Sequence, residues 1–226
     1  MPDVPQLLRD AYVCKDCNVE FGFEISPNGS YFKFPPLIGA QSTADLLFVG
    51  INPRRSFSNR KLHDTLMTSE QAFIDLAANR RNGSQYIHTS SPEPHYHDHL
   101  AIIHGVFREQ RNFETCAAVT ELFHCATKDS KGLPNPGSPC ADKYLPSILE
   151  IVQPKAIIAV GSRVMNYFRA QTNVRFTDVS LITTFIGREF NVVKMPHPAD
   201  TNLTDEERQS QLDTCIANLR LLFGLP

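Results

Sequence analysis

Long apolar runs are missing from this chain. Among its 226 residues nothing comes near a run of about 18 apolar residues, the length a membrane-spanning helix needs. The charged and apolar regions of a secretory signal are also missing, since the first ten residues read MPDVPQLLRD. There is no internal repeat and no low-complexity tract. An excess of basic charge is absent too: the formal net charge is −2, so no global field attracts polyanions. A cytoplasmic protein with no membrane partner is the expectation. In that compartment thiols stay reduced, which favours metal binding over disulfides.

Cysteine, by contrast, is plentiful, and four of the six residues fall into pairs. Cys14 and Cys17 form C-x-x-C; Cys125 and Cys140 have fourteen residues between them. Soft anionic sulfurs in this number suit a metal or iron–sulfur centre. A four-cysteine zinc site, or buried thiols with no ligand, would use the same residues. Cys116 and Cys215 lie outside the pairs and read as core thiols.

Short apolar runs alternate with amphipathic stretches. Asp45–Val49, Val119–Phe123, Lys155–Val160 and Asn191–Met195 read as strands, the first leading into Gly50 and the third into Gly161. Helical spacing marks Ser69–Arg81, Ala141–Val152 and Ser162–Ala170, with Ser162 as a candidate cap. A last helix starts at Thr204, with Glu207 in capping-box position, and carries Leu212, Cys215, Ile216, Leu219 and Phe223 on one stripe. This pattern predicts a three-layer α/β/α sandwich around a short, mainly parallel central sheet. The whole of 1–226 is read as one domain, with 1–40 as an N-terminal segment bearing Cys14 and Cys17. Ligands of such sheets bind at the carboxyl ends of strands. Both Gly50-Ile51-Asn52-Pro53 and Pro196-His197-Pro198 fall there.

Charge is uneven along the chain. Residues 51–81 carry Arg54, Arg55, Arg60, Lys61, Arg80 and Arg81 against Asp64, Glu70 and Asp75. A local patch of this kind suffices to meet phosphates, although a solvated face has the same composition. The stretch from Arg80 to Gln110 reads as irregular. Its His95, His97, His99 and His104 fit a loop over the cleft better than a zinc site.

In order, the chain thus presents C-x-x-C, Gly50-Ile51-Asn52-Pro53, Thr120-Glu121-Leu122-Phe123-His124-Cys125, Cys140, a strand ending at Gly161, and His197-Pro198-Ala199. This order resembles the uracil-DNA glycosylase superfamily, and most closely its iron–sulfur-containing family 4 type. The resemblance runs from about Cys14 to the last helix and implies a monofunctional DNA glycosylase. It implies a [4Fe–4S] cluster held by Cys14, Cys17, Cys125 and Cys140 as a structural element, with zinc as the alternative. By the same resemblance Asn52 positions the attacking water, and its amide has both acceptor and donor to do so. His197 would donate to O2 of the departing base, where charge builds in the transition state. Gly50, Ile51, Phe57 and Glu121 would bind the base, with Tyr86 and Tyr96 as rivals of Phe57 for stacking. Arg54 and Arg55 would hold flanking phosphates, and Leu203 would wedge into the vacated stack unless it packs as a staple of the last helix.

Two positions depart from the family 4 pattern. Glu121 stands where that pattern has an asparagine, and Arg54-Arg55-Ser56-Phe57 stands where a glycine-led loop is usual. Uracil shows N3–H as a donor and O4 as an acceptor, whereas an ionised carboxylate only accepts. Glu121 therefore implies altered or broadened base choice and weaker uracil excision. The alternative is a catalytically weak or inactive DNA-binding member of the same fold. DNA is the expected partner, no nucleotide cofactor is consumed, and a monomer is expected because nothing demands an oligomer.

Overall fold

Consecutive apolar residues, rather than alternating ones, build the sheet. The computed structural model describes residues 4–16, 36, 43–51, 69–78, 94–108, 111, 113–125, 133–135, 137–171, 180–185, 187–197, 200 and 202–226, without the side chains of 76, 78, 94–97, 114, 180–183 and 185. Along the chain these form helix α1 (Val4–Val13), strand β1 (Leu46–Gly50), α2 (Glu70–Ala78), α3 (Pro94–Phe107), the single turn α4 (Phe113–Cys116) and β2 (Ala117–Glu121). Then follow α5 (Pro139–Val152), β3 (Ala156–Val160), α6 (Ser162–Ala170), β4 (Ser180–Phe185), β5 (Arg188–Met195) and α7 (Asp205–Leu222).

The sheet order is β2-β1-β3-β5-β4. The first four strands are parallel: Leu46 stands opposite Ala117 and Ala156, and Ala156 opposite Asn191. Only β4 runs antiparallel, at the edge beside β5. Leu46, Leu47, Phe48 and Val49 are all fully buried, as strands covered on both faces require. Because side chains alternate across a strand, one run feeds two cores. Leu47, Val49, Ala118, Ile157, Ala159 and Val192 pack with α1, α2, α5 and α6. Leu46, Phe48, Val119, Ile158, Val193 and Met195 pack with α3, α4 and α7. The result is the three-layer α/β/α sandwich. Among the described residues no helix is long and apolar enough to cross a membrane.

Several expected elements shift. β2 begins two residues earlier than the sequence pattern indicates, at small Ala117 and Ala118. The N–H groups of Leu122 and Phe123 leave the ladder and donate to the carbonyls of Gly50 and Ile51, at 2.9 and 3.0 Å. Ser162 is not a cap: the N-cap of α6 is Gly161, with no side-chain bond, and Ser162 is already helical. The stretch expected to be an irregular loop contains α3. His99, buried there, lies against Phe48 with ring centroids 4.2 Å apart, while His104 is exposed five residues on. Five residues of helix turn a side chain to another face, so these two do not form one metal site. The side chains of His95, Tyr96 and His97, and the whole of Tyr86, lie outside the described residues. The expected start of α7 is observed, with Thr204 and Glu207 completing a capping box.

Ser138 joins two layers of this architecture. It caps α5 by accepting from the Ala141 N–H at 3.1 Å, and its hydroxyl donates to the Leu122 carbonyl. Pro139 follows as the first helical residue, where its missing N–H costs nothing. Ser138→Ala is expected to cost about 2–3 kcal/mol, a lost cap plus a buried carbonyl left without its donor. The exposed cap Thr204 loses only the cap term, so Thr204→Ala should cost about 1 kcal/mol. Urea unfolding of both variants checks this ranking, which equal losses would contradict.

Candidate active site

Parallel registry brings four strand ends to one edge. Gly50 pairs with Glu121 at the ends of β1 and β2, and Val160 pairs with Met195 at the ends of β3 and β5. The chain leaves β1 toward β2 on one side, whereas β3 and β5 lie on the other. The carboxyl ends of β1 and β3 therefore flank the topological switch point, where open α/β sheets bind ligands.

Glycine at both ends lets side chains lie on the backbone. A Cβ on Gly50 would stand 2.7 Å from Cδ of Glu121, far inside van der Waals contact, so the carboxylate rests on that bare Cα. Glu121 thus faces the first motif rather than pointing away from it, and its Oε2 is buried. Gly161 has φ +86, a left-handed value that favours glycine, and a Cβ there would meet Cβ of His197 at 3.0 Å. Its N–H donates to the Met195 carbonyl at 2.9 Å, which ties the end of β3 to the end of β5.

His197 is half-buried at the head of a turn closed by the Asp200 N–H on the His197 carbonyl, at 2.9 Å. Arg208, in the first turns of α7, reaches the carbonyls of His197 (3.4 Å) and Asp200 (3.1 Å). The helix therefore clamps the turn that presents the imidazole. Leu203 is half-buried just before the Thr204 cap. A staple would pair it with the fourth helical residue, which is Arg208, a cation, so the apolar partner of that reading is missing.

Asn52, Arg54, Arg55 and Phe57 lie outside the described residues, as does Cys17. Gly50, Ile51, Glu121 and His197 are brought to one edge of the sheet. Leu203 follows the His197 turn in the chain. Cys14, Cys125 and Cys140 form a separate group on the α1/α5 side, all within or against one core.

Tyr144 organises that group. Burial pushes its phenol well above the usual range, and a hydrogen bond with Cys14 and the nearby charge of Cys14 and Cys140 push it further. Its hydroxyl also donates to the Asp10 carbonyl at 3.3 Å. The His124 ring lies 5.2 Å from that of Tyr144. Burial lowers His124 to about 4, with the Glu121 backbone opposing, so it is neutral near pH 7. Lys143 pairs with Asp16 at 2.6 Å and stands 4.0 Å from Sγ of Cys14, tying the end of the α1 segment to α5. Among the described residues no three His, Cys, Asp or Glu side chains are gathered tightly enough to share one metal ion. Cys14, Cys125 and Cys140 are by residue type three of the four thiolate donors that a [4Fe–4S] cluster would take. Cys116 and Cys215 are buried core thiols as expected, with Cys215 pushed up to about 12 by burial.

Sequence reasoning passed over His124, Tyr144 as a neighbour of the thiols, and Arg208. Their signal was weak: an apolar neighbourhood, a core stripe and a polar helix face. The contact of Glu121 with Gly50 yields a thermodynamic cycle. Gly50→Ala is expected to displace the carboxylate and destabilise the protein, and the same change in a Glu121→Ala background should cost less by about 0.5 kcal/mol or more. Additive costs in chemical denaturation would contradict the contact.

A family model described as the uracil DNA glycosylase superfamily matches residues 37–220. No curated protein matches the chain. The matched span holds the five described strands together with Gly50, Glu121, Gly161 and His197. The chain belongs to the uracil-DNA glycosylase superfamily.

Proposed function

We propose that this protein excises a deaminated base, uracil or a relative, from DNA by hydrolysing its N-glycosidic bond. Membership of the superfamily supports a DNA glycosylase-like function. The observation that carries the finer reading is the meeting of Glu121 on Gly50 and of His197 on Gly161 at the switch point. Such a cleft takes a nucleotide only after it leaves the base stack.

In this reading the water oxygen bonds to C1′ and releases its proton to solvent, the C1′–N bond breaks, and the electron pair of that bond leaves with the base. His197 donates to the base as that charge develops, which lowers the barrier without a covalent intermediate. Asn52, two residues past Gly50, orients the water. Arg54 and Arg55 hold phosphates, Phe57 stacks on the base, and Leu203 fills the gap in the stack. Cys14, Cys17, Cys125 and Cys140 would hold a [4Fe–4S] cluster, which supplies a cross-link between the N-terminal segment and α5 and no redox step. The protein acts as a monomer in the cytoplasm.

Glu121 decides which base. Its carboxylate accepts from N3–H of uracil but faces O4 with like charge. A base with two adjacent donors on one edge suits it better. The same feature favours a second reading, a member that binds DNA and cleaves weakly.

Anaerobically purified protein is incubated with labelled oligonucleotides carrying uracil, hypoxanthine, xanthine or deaminated methylcytosine, and alkali then cuts abasic sites. Strand cleavage is expected, falling about 100-fold or more in His197→Ala or Asn52→Ala, the scale of losing a placed transition-state donor. Glu121→Asn is expected to raise uracil excision. Folded, DNA-binding protein that makes no abasic site from any of the four would support the second reading instead. The purified protein should be brown and carry about four irons per chain, since four thiolates bind one cube; colourless, zinc-loaded protein would replace the cluster with zinc.

A further inference from the structure

A cavity opens at the amino-terminal end of the sheet, with a volume of about 410 Å³. Its position follows from helix direction. Both α3 and α7 run back from the cleft end, and they pack closely because Gly105 leaves room for Ile216. Their last turns, with Arg111 and with Lys155 just ahead of β3, wall the pocket.

Four cations line it: Arg108, Arg111, Lys155 and Arg220. One carboxylate side chain serves two of them, Asp45 pairing with Arg111 and, at 2.9 Å, with Lys155. The other two hold main-chain oxygens: Arg108 donates at 3.1 Å to the terminal carboxylate of Pro226, and Arg220 donates at 3.0 Å to the Gly105 carbonyl. Two of the cations are also braced on aromatic faces. The Arg111 guanidinium lies 4.8 Å from the centre of Phe107, and the Lys155 ammonium 5.6 Å from that of Phe223. Those two rings meet edge to face at 5.4 Å. Braced cations lose little freedom when an anion arrives.

Arg108 follows α3 with φ +51, in the left-handed region where glycine usually ends a helix, as Gln153 does after α5 with φ +46. An arginine held there is strained, so glycine at this position removes the guanidinium and the strain together. Four cations against the Asp45 side chain and the terminal carboxylate leave an excess of positive charge that a further anion would balance.

We propose that this pocket binds an oligophosphate group. Planar guanidinium forks match phosphate oxygens two at a time, and the volume suits a small ligand rather than a single ion. The phosphates could come from a free nucleotide or from a nucleic-acid chain. Either is distinct from the strand in the cleft, which meets the opposite end of the sheet.

Calorimetric titration of the full chain with inorganic pyrophosphate, with ADP, and with a single-stranded oligonucleotide free of damaged bases tests this. Pyrophosphate is expected to bind, and Arg108→Gly and Arg220→Gln should each weaken it about tenfold, as loss of one charge-assisted hydrogen bond implies. Arg108→Gly relieves the φ strain, so its Tm should hold or rise while binding falls, an outcome that a merely structural arginine would not give. If ADP follows the same variants and the oligonucleotide does not, the source is a free nucleotide; if the oligonucleotide also weakens, it is a nucleic-acid chain. No binding of pyrophosphate, or binding unchanged in both variants, overturns the proposal.

Discussion

Glu121 lies on the bare Cα of Gly50, and His197 lies on the bare Cα of Gly161. These two approaches exist only because β1 ends in, and β3 is followed by, a residue without a side chain. One added methyl at Gly50 would meet a carboxylate, and at Gly161 it would meet the imidazole stem and an unfavourable φ as well. The sheet determines that these ends coincide. Parallel registry from β2 through β5 leaves the tips level, and the bonds from Leu122 and Phe123 to the Gly50 and Ile51 carbonyls extend that registry past the last ladder pair. The Gly161 bond to Met195 does the same on the other side. The meeting of Glu121 and His197 at this edge is therefore a consequence of backbone pairing before it is an arrangement of side chains.

The α1/α5 layer has a different anchor. Ser138 ties the start of α5 to the segment after β2, so Cys140 and Cys125 come from two strands of chain fixed to each other. Cys14 is held against the same helix through Tyr144, Lys143 and Asp16. A cluster in this layer would close the N-terminal segment onto α5 without touching the cleft. In the proposed reading, base removal and the cluster are separated by the sheet edge and the post-β2 segment, with Glu121 at one end of five residues and Cys125 at the other.

Much of this was legible in the sequence, because local signals carried it. Buried runs ending in Gly50 and Gly161 announced parallel strands and their binding end. Thr204 with Glu207 announced the start of the last helix. Periodicity failed where partners are distant in the chain. α3 was hidden by its histidines and its proline-rich approach, yet His99 is buried on Phe48 as an aromatic would be. β4 depends on an edge partner, and β2 on alanines of low strand preference. Order and spacing identified His197 and the cysteines as residues of interest. Nothing local shows that Glu121 rests on Gly50, since that contact joins residues 71 positions apart through the β1–β2 ladder. The amino-end pocket was equally hidden, because Arg108, Arg111, Lys155 and Arg220 meet only after two helices and a strand have been placed.

In the proposed reaction the nucleotide enters between the ends of β1 and β3. A crystal structure of the protein with DNA carrying a hydrolysis-resistant, 2′-fluorinated form of the excised nucleotide tests it most directly. An extruded base against Glu121 is expected, with its O2 side toward His197 and its sugar near Gly50. A base still stacked in the DNA, or one bound away from the Gly50–Gly161 edge, would contradict it.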